Sequence, residues 1–180
     1  MKQALTTALL AAGLALTGTL GLAGCAGPAR RVASAPPLAP EKAANVVLTA
    51  MAFLDTPYRR GGNGRAEGAS EGSEGFDCSG FTRHVYERSL GLTLPRTAWD
   101  QARAPALLEV GATQLQPGDL VFFNTLQKAF SHVGVYIGQG RFVHAPRPGT
   151  AVRVEEMQGP QGRYWTQRFD GARRAAIGTP

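Results

Sequence analysis

The chain has 180 residues, 43% of them hydrophobic, and a formal net charge of +6. That length supports one domain with a core of its own. The basic residues, arginine far ahead of lysine, form no long run. This argues against nucleic acid as a partner and leaves a solvated surface, or attraction to an anionic polymer or lipid head group.

At the N-terminus, Lys2 precedes an uncharged stretch from Ala4 to Ala23 rich in Leu, Ala, Gly and Thr. This is the pattern of a secretory signal segment. The stretch is about long enough to span a bilayer, but its Gly and Thr content weakens it as a stable span. Leu22-Ala23-Gly24-Cys25 resembles the lipobox of bacterial lipoproteins. The resemblance implies a diacylglycerol on the Cys25 thiol, removal of residues 1–24 and acylation of the new amine. Such an anchor holds firmly, since each buried methylene contributes about 0.8 kcal/mol. The expected location is the cell envelope. Residue 26 is Ala rather than Asp, which under Gram-negative sorting rules implies the outer membrane, facing the periplasm. With Cys25 lipidated, Cys78 loses its disulfide partner, because the chain has two cysteines. A lone thiol in an oxidising compartment is a liability unless it is buried or reactive, so Cys78 becomes a candidate nucleophile.

Residues 25–40 contain four prolines among small residues and read as a semi-rigid tether, about 45 Å long if extended. The folded domain is expected over 41–180. Residues 41–54 fit an amphipathic helix with Val47, Ala50, Met51 and Leu54 on one stripe, ended by Pro57. Residues 59–75 form a loop. A second helix runs from Cys78 to Leu90, with Phe81 and Val85 buried and Gly91 as its cap. Thr97 to Arg103 fits a short helix. Short β-branched or aromatic runs follow at 120–123, 133–137 and 141–144, with further strands expected at 150–154 and 167–176. Helices first and a meander afterwards predict an α+β domain, its N-terminal helices packed on an antiparallel sheet of five to six strands.

Cys78 opens the second helix, where unpaired backbone N–H groups and the helix dipole favour a thiolate, and Asp77 supplies the N-cap. Of the three histidines, His84 lies off the face of Cys78 and reads as a surface residue. His132 and His144 fall in consecutive strands joined through Gly138-Gln139-Gly140. A strict two-residue turn at 139–140 would set Val135 opposite His144 and put the histidines on opposite faces. A three-residue loop sets Gly134 opposite His144, with His132 one diagonal step away on the same face. A shared site therefore requires an odd loop or a bulge.

Six stretches together resemble the NlpC family of papain-like cell-wall endopeptidases. They are Pro57-Tyr58-Arg59-Arg60-Gly61-Gly62, Gly75-Phe76-Asp77-Cys78-Ser79-Gly80-Phe81, Leu94-Pro95-Arg96-Thr97, Leu115-Gln116-Pro117-Gly118-Asp119-Leu120-Val121-Phe122-Phe123, Ser131-His132-Val133-Gly134-Val135-Tyr136-Ile137-Gly138 and Phe142-Val143-His144-Ala145. The resemblance spans residues 41–175. It implies hydrolysis of peptidoglycan stem peptides, typically between γ-D-glutamyl and a diamino acid. Residue by residue, Cys78 resembles the nucleophile, His132 the general base and His144 the polar third member that holds the base in its useful tautomer. Tyr58 resembles the tyrosine that stabilises the oxyanion beside the Cys78 N–H. Asp77 and Ser79 resemble contacts to the free amine of the stem, although Asp77 also reads as a cap. Arg96 fits a substrate contact or a structural salt-bridge partner, and the structural reading is favoured. Residues 63–75, with glutamates at 67, 71 and 74, are longer than the family's usual connection and are expected to form a flap near the cleft.

No cofactor or metal is expected. Cys78, His132 and His144 are also ligand types that zinc accepts, and a thiol alkylator set against a chelator separates the two readings. A non-enzymatic wall-binding lipoprotein, or an amidase or acyltransferase on the same scaffold, are the rival functions. The expected partners are peptidoglycan stem peptides and a membrane reached through Cys25. The reading leaves room for a regulatory protein, which no motif identifies.

Overall fold

A computed structural model describes residues 35–64 and 75–177. The signal segment, Cys25, residues 26–34 of the tether and the glutamates at 67, 71 and 74 lie outside the described residues. Among the described residues, no helix is long and apolar enough to cross a membrane.

Helix α1 spans Pro40–Met51, with proline in its first turn, where a missing N–H costs nothing. Helix α2 spans Cys78–Leu90 and ends on Gly91 in the left-handed conformation. Helix α3, Ala98–Gln101, starts from Thr97, whose hydroxyl accepts from the Asp100 N–H. The strands follow as β1 Leu107–Val110, β2 Leu120–Phe123, β3 His132–Gly138, β4 Arg141–His144, β5 Arg153–Glu156 and β6 Phe169–Ala175, with the short helix α4, Arg163–Thr166, between the last two. They form a six-stranded sheet in the order β1-β6-β2-β3-β4-β5, antiparallel throughout. This is an α+β, papain-like fold.

Strand alternation sorts the core onto two faces. Leu120, Phe122, Val133, Val135 and Val143 pack against Val46 and Ala50 of α1 and Phe81, Val85 and Tyr86 of α2. Val121, Phe123, Tyr136, Phe142 and Ala172 form the opposite face, closed by Trp165 from α4.

Several expectations shift. The buried stripe of α1 runs through Val46 and Ala50, while Met51 and Leu48 are exposed. Ala35 and Leu38, read as tether, are buried, because Arg174 draws the Ala35 and Pro36 carbonyls onto the domain. His84 is not a surface residue. It is half-buried, edge-on to Phe53 with ring centres 4.9 Å apart and 5.2 Å from Phe76. Strand β1 and helix α4 had no expected counterpart, and β5 begins three residues later than the expected 150–154 run.

Candidate active site

The start of α2 is built by Asp77. Its backbone is extended, and its Oδ1 accepts from the Gly80 N–H at 2.8 Å, satisfying one of the donors a helix start leaves free. Oδ2 accepts from the Gly61 N–H at 3.0 Å, which ties the preceding loop to the helix. Arg96 then grips the carboxylate with both nitrogens, at 3.0 and 2.6 Å, and also donates to Ser79 Oγ at 3.0 Å. Arg96 is thus the salt-bridge partner expected of it. Both Asp77 oxygens and the buried Ser79 hydroxyl are engaged in this network, so a substrate amine meeting them competes with Arg96.

Cys78 is partly buried at the helix start. Its sulfur faces the backbone N–H groups of Val133 and Ser79, which favour the thiolate. Burial, reinforced by the Asp77 charge, wins and pushes the thiol up to about 11. This reverses the expectation that the helix terminus would lower it: desolvation of the charged form outweighs the N–H groups. Tyr58 stands in the same electrostatic cluster. Burial, Cys78 and Asp77 all raise its hydroxyl.

The histidines meet at the end of the sheet. The β3–β4 connection is a two-residue turn with positive φ at both Gln139 and Gly140, as a type I′ hairpin requires. Alone it would separate the histidines. The ladder instead steps from Gly138–Arg141 to Tyr136–Phe142, leaving Ile137 as a bulge. The Val135–Val143 register, carried one residue further, sets Gly134 opposite His144. His132 and His144 then share a face, and His132 Nε2 lies 2.7 Å from His144 Nδ1. Gly134 makes the approach possible, since a Cβ there would sit 2.7 Å from Phe142 Cδ2 and 3.1 Å from His144 Cβ.

Both rings are buried and lie against Trp165. Trp165 stacks on His132 at 5.4 Å. Burial, together with the neighbouring His144, lowers His132 well below the usual imidazole range, and burial also lowers His144. The pair is neutral at neutral pH. Two groups therefore stand side by side: Tyr58, Asp77, Cys78 and Arg96 at the helix start, and His132 with His144 on the sheet. They join at the first residues of β3, where His132 is followed by Val133, whose N–H faces Cys78.

Glu155 on β5 went unnoticed in the sequence. Its Oε1 lies 3.6 Å from His144 Nε2 and accepts from Arg153 Nε at 2.6 Å, while Oε2 accepts from the Trp165 indole N–H. Burial would raise this carboxyl, but His144, Arg153 and Trp165 together hold it at about 2. The available signal was a register: β4 pairs His144 with Arg153 and Phe142 with Glu155, so Glu155 is a diagonal neighbour of His144 on the same face. A cleft of about 450 Å³ opens beside this cluster, lined by His132, Glu155, Arg147, Arg153, Tyr164 and Trp165 among others. Cys78 is not part of its lining.

Residues 55–174 match the NlpC/P60 family. Among relatives, the γ-DL-glutamyl hydrolase of Bacillus subtilis is 37% identical over 147 residues, covering 81% of this chain and 32% of the relative. The murein DD-endopeptidase MepH of Escherichia coli is 34% identical over 136 residues, covering 74% of this chain and 46% of the relative. This chain thus spans less than half the length of either. The crystal structure of an NlpC/P60 family protein from Bacillus cereus superimposes with a TM-score of 0.61 at 33% identity, covering 78% of this chain and 41% of that one.

Proposed function

Because the chain belongs to the NlpC/P60 family over residues 55–174, we propose that it is a cysteine peptidase that hydrolyses peptide stems of peptidoglycan. The observation that carries the reading is the 2.7 Å His132–His144 pair abutting, through Val133, a thiol at the start of a helix. A nucleophile, a base and a polar orienter are the parts acyl transfer needs.

His132 takes the thiol proton as Cys78 Sγ attacks the scissile carbonyl. The Tyr58 hydroxyl and the Cys78 N–H receive the developing oxyanion, where one donor is worth about 3 kcal/mol. His132 returns the proton to the leaving amine, and water, deprotonated by His132, hydrolyses the thioester. Because Cys78 rests as a thiol and His132 as a neutral imidazole, proton transfer belongs to the attack itself rather than to a preformed ion pair. The bond we assign is γ-D-glutamyl to diamino acid, in keeping with the γ-glutamyl activity in one relative's name. The DD-endopeptidase name of the other marks the cross-link as the competing bond.

Digestion of purified muropeptides decides between them. Fragments ending in D-glutamate are expected from the wild-type chain and none from Cys78→Ala. Release only of uncrosslinked stems would move the assignment to the cross-link. Identical, undigested profiles from both proteins would end the peptidase reading and favour a wall-binding role. Anchoring through Cys25 belongs to the same proposal. Cells fed labelled palmitate should label the wild-type chain and not Cys25→Ser, and equal labelling would exclude the lipobox.

A further inference from the structure

His144 Nε2 is fully buried and has no hydrogen-bond partner. The acceptor that faces it is Glu155 Oε1, at 3.6 Å. That separation is beyond a hydrogen bond but well within the range of a charge acting on a buried dipole. Its sign decides where the protons sit. Glu155 accepts from Trp165 and Arg153, so it is a carboxylate. A ring nitrogen lone pair aimed at it is repelled, whereas an N–H is attracted.

We propose that Glu155 is a positioning residue that fixes the tautomers of both histidines and leaves Nδ1 of His132 as the free base. The inference rests on the peptidase reading for its catalytic meaning, but the proton positions follow from geometry alone. With the proton on His144 Nε2, neutral His144 has only a lone pair at Nδ1. The 2.7 Å contact must then be made by a proton on His132 Nε2. A neutral His132 so protonated keeps its lone pair at Nδ1, the one nitrogen that His144 leaves for the thiol. When His132 Nδ1 takes the Cys78 proton, the ring becomes an imidazolium that still donates through Nε2 to His144. Glu155, one ring further on, is the anion that offsets its charge.

Glu155→Gln tests this with little change in shape. The indole of Trp165 is buried and donates to Oε2, so the carboxamide oxygen takes that place. Arg153 is exposed and can turn away from the amide nitrogen, which then faces His144 Nε2 as a donor. An amide N–H in that position favours a lone pair on His144 Nε2 and its proton on Nδ1. His144 then donates to His132 Nε2, and the His132 proton moves to Nδ1, where the base is blocked. Exchanging the orienting carboxylate of a triad for an amide has this wrong-tautomer effect and costs about 10⁴-fold in kcat. At one remove, a loss on the order of 10² to 10⁴ is expected.

Nitrogen-15 spectra of histidine-labelled protein read the tautomers directly. Wild type should show protonated Nε2 and bare Nδ1 on both rings. Glu155→Gln should show the reverse on both, with unchanged resonances from His84 and a lower but still cooperative melting transition, since the amide lacks the stabilised carboxylate charge. A bare Nε2 on His132 in the wild type overturns the proposal, even if the variant does not fold. So do unchanged tautomers in Glu155→Gln, whatever its activity. Expected tautomers in a wild-type protein that digests no muropeptide would support the proton arrangement and remove only the peptidase reading.

Discussion

At the residue scale, the site depends on burial more than on formal charge. Cys78 sits where a helix start should favour the thiolate, yet desolvation holds it near 11. The rate of alkylation by iodoacetamide should therefore still climb between pH 8 and 10, tracking the thiolate fraction. A plateau reached by pH 8 would contradict the buried thiol. The neutral histidines lead to a second expectation. His132 is lowered well below the ordinary imidazole value of 6.5, so the acid limb of kcat/KM should fall well below pH 6.5. An acid limb at or above 6.5 would mean that His132 is solvated or is not the base. Gly134 is the third case. Alanine there would meet Phe142, the Val143 carbonyl and His144 at 2.7, 2.8 and 3.1 Å. Overpacking of this kind typically costs about 1–3 kcal/mol. Because the atoms that must give way carry His144, kcat should fall at least tenfold in Gly134→Ala, alongside a lower urea midpoint. Loss of stability with full activity would show that the histidine pair tolerates displacement.

At the scale of elements, legibility followed local chemistry. Helix α2 was readable from end to end because its cap residue, its buried Phe81 and Val85 and its Gly91 stop are all local. Helix α1 was readable as a helix but out of phase, since it buries Val46 rather than Met51, and only the partner surface decides which of two adjacent apolar stripes turns inward. Strand β1 escaped notice because Leu108 and Glu109 are both exposed, which breaks the alternation, and its pairing with β6 joins residues far apart in sequence. The meeting of His132 and His144 was legible from strand spacing, and the need for an odd loop or a bulge between them was legible from parity alone. Glu155 was not, because its role depends on a register with β4 that no short motif encodes. The junction at the start of α2 shows what a motif glycine is for. A Cβ on Gly80 would lie 1.9 Å from the Gly62 carbonyl oxygen, so the loop and the helix can touch only if residue 80 has none. Gly80→Ala should push the helix start off the loop, disturbing the Asp77–Arg96 network and Cys78 together. The expected outcome is a loss of about 1–3 kcal/mol with activity near background. Wild-type turnover from a folded Gly80→Ala protein would show that the loop is not needed to place the thiol.

At the scale of the whole molecule, two buried charge systems set how the domain responds to mutation and acid. Arg174 on β6 meets Asp119 at 2.7 and 2.8 Å and spends its remaining donors on the Gln114, Ala35 and Pro36 carbonyls. One side chain thus joins the sheet, the turn before β2 and the N-terminal segment. Removing one partner of such a pair strands a buried charge at a cost of about 3–5 kcal/mol, so Asp119→Ala should be among the most destabilising single changes, read from urea unfolding. Protons act on the other system. His132 and His144 are lowered by burial and Glu155 is held at about 2, so in each case the unfolded chain binds the proton more readily. Stability must then fall as pH drops. It first falls below 6.5, where the unfolded histidines charge, and again from 4.5 towards 2 through Glu155. Asp119, raised by its burial, works the other way just above pH 3.8 and blunts the second step. His132 alone adds about 1.4 kcal/mol per pH unit below 6.5 until its own folded value is reached. Urea midpoints at pH 7.5, 6.0 and 5.0 should therefore decline, and a His132→Gln variant should decline less steeply. A wild-type midpoint flat from pH 7.5 to 5.0 would mean that the imidazoles titrate as freely in the folded protein as in the unfolded chain. Their burial under Trp165, and with it the neutral base at the site, would then have to be abandoned.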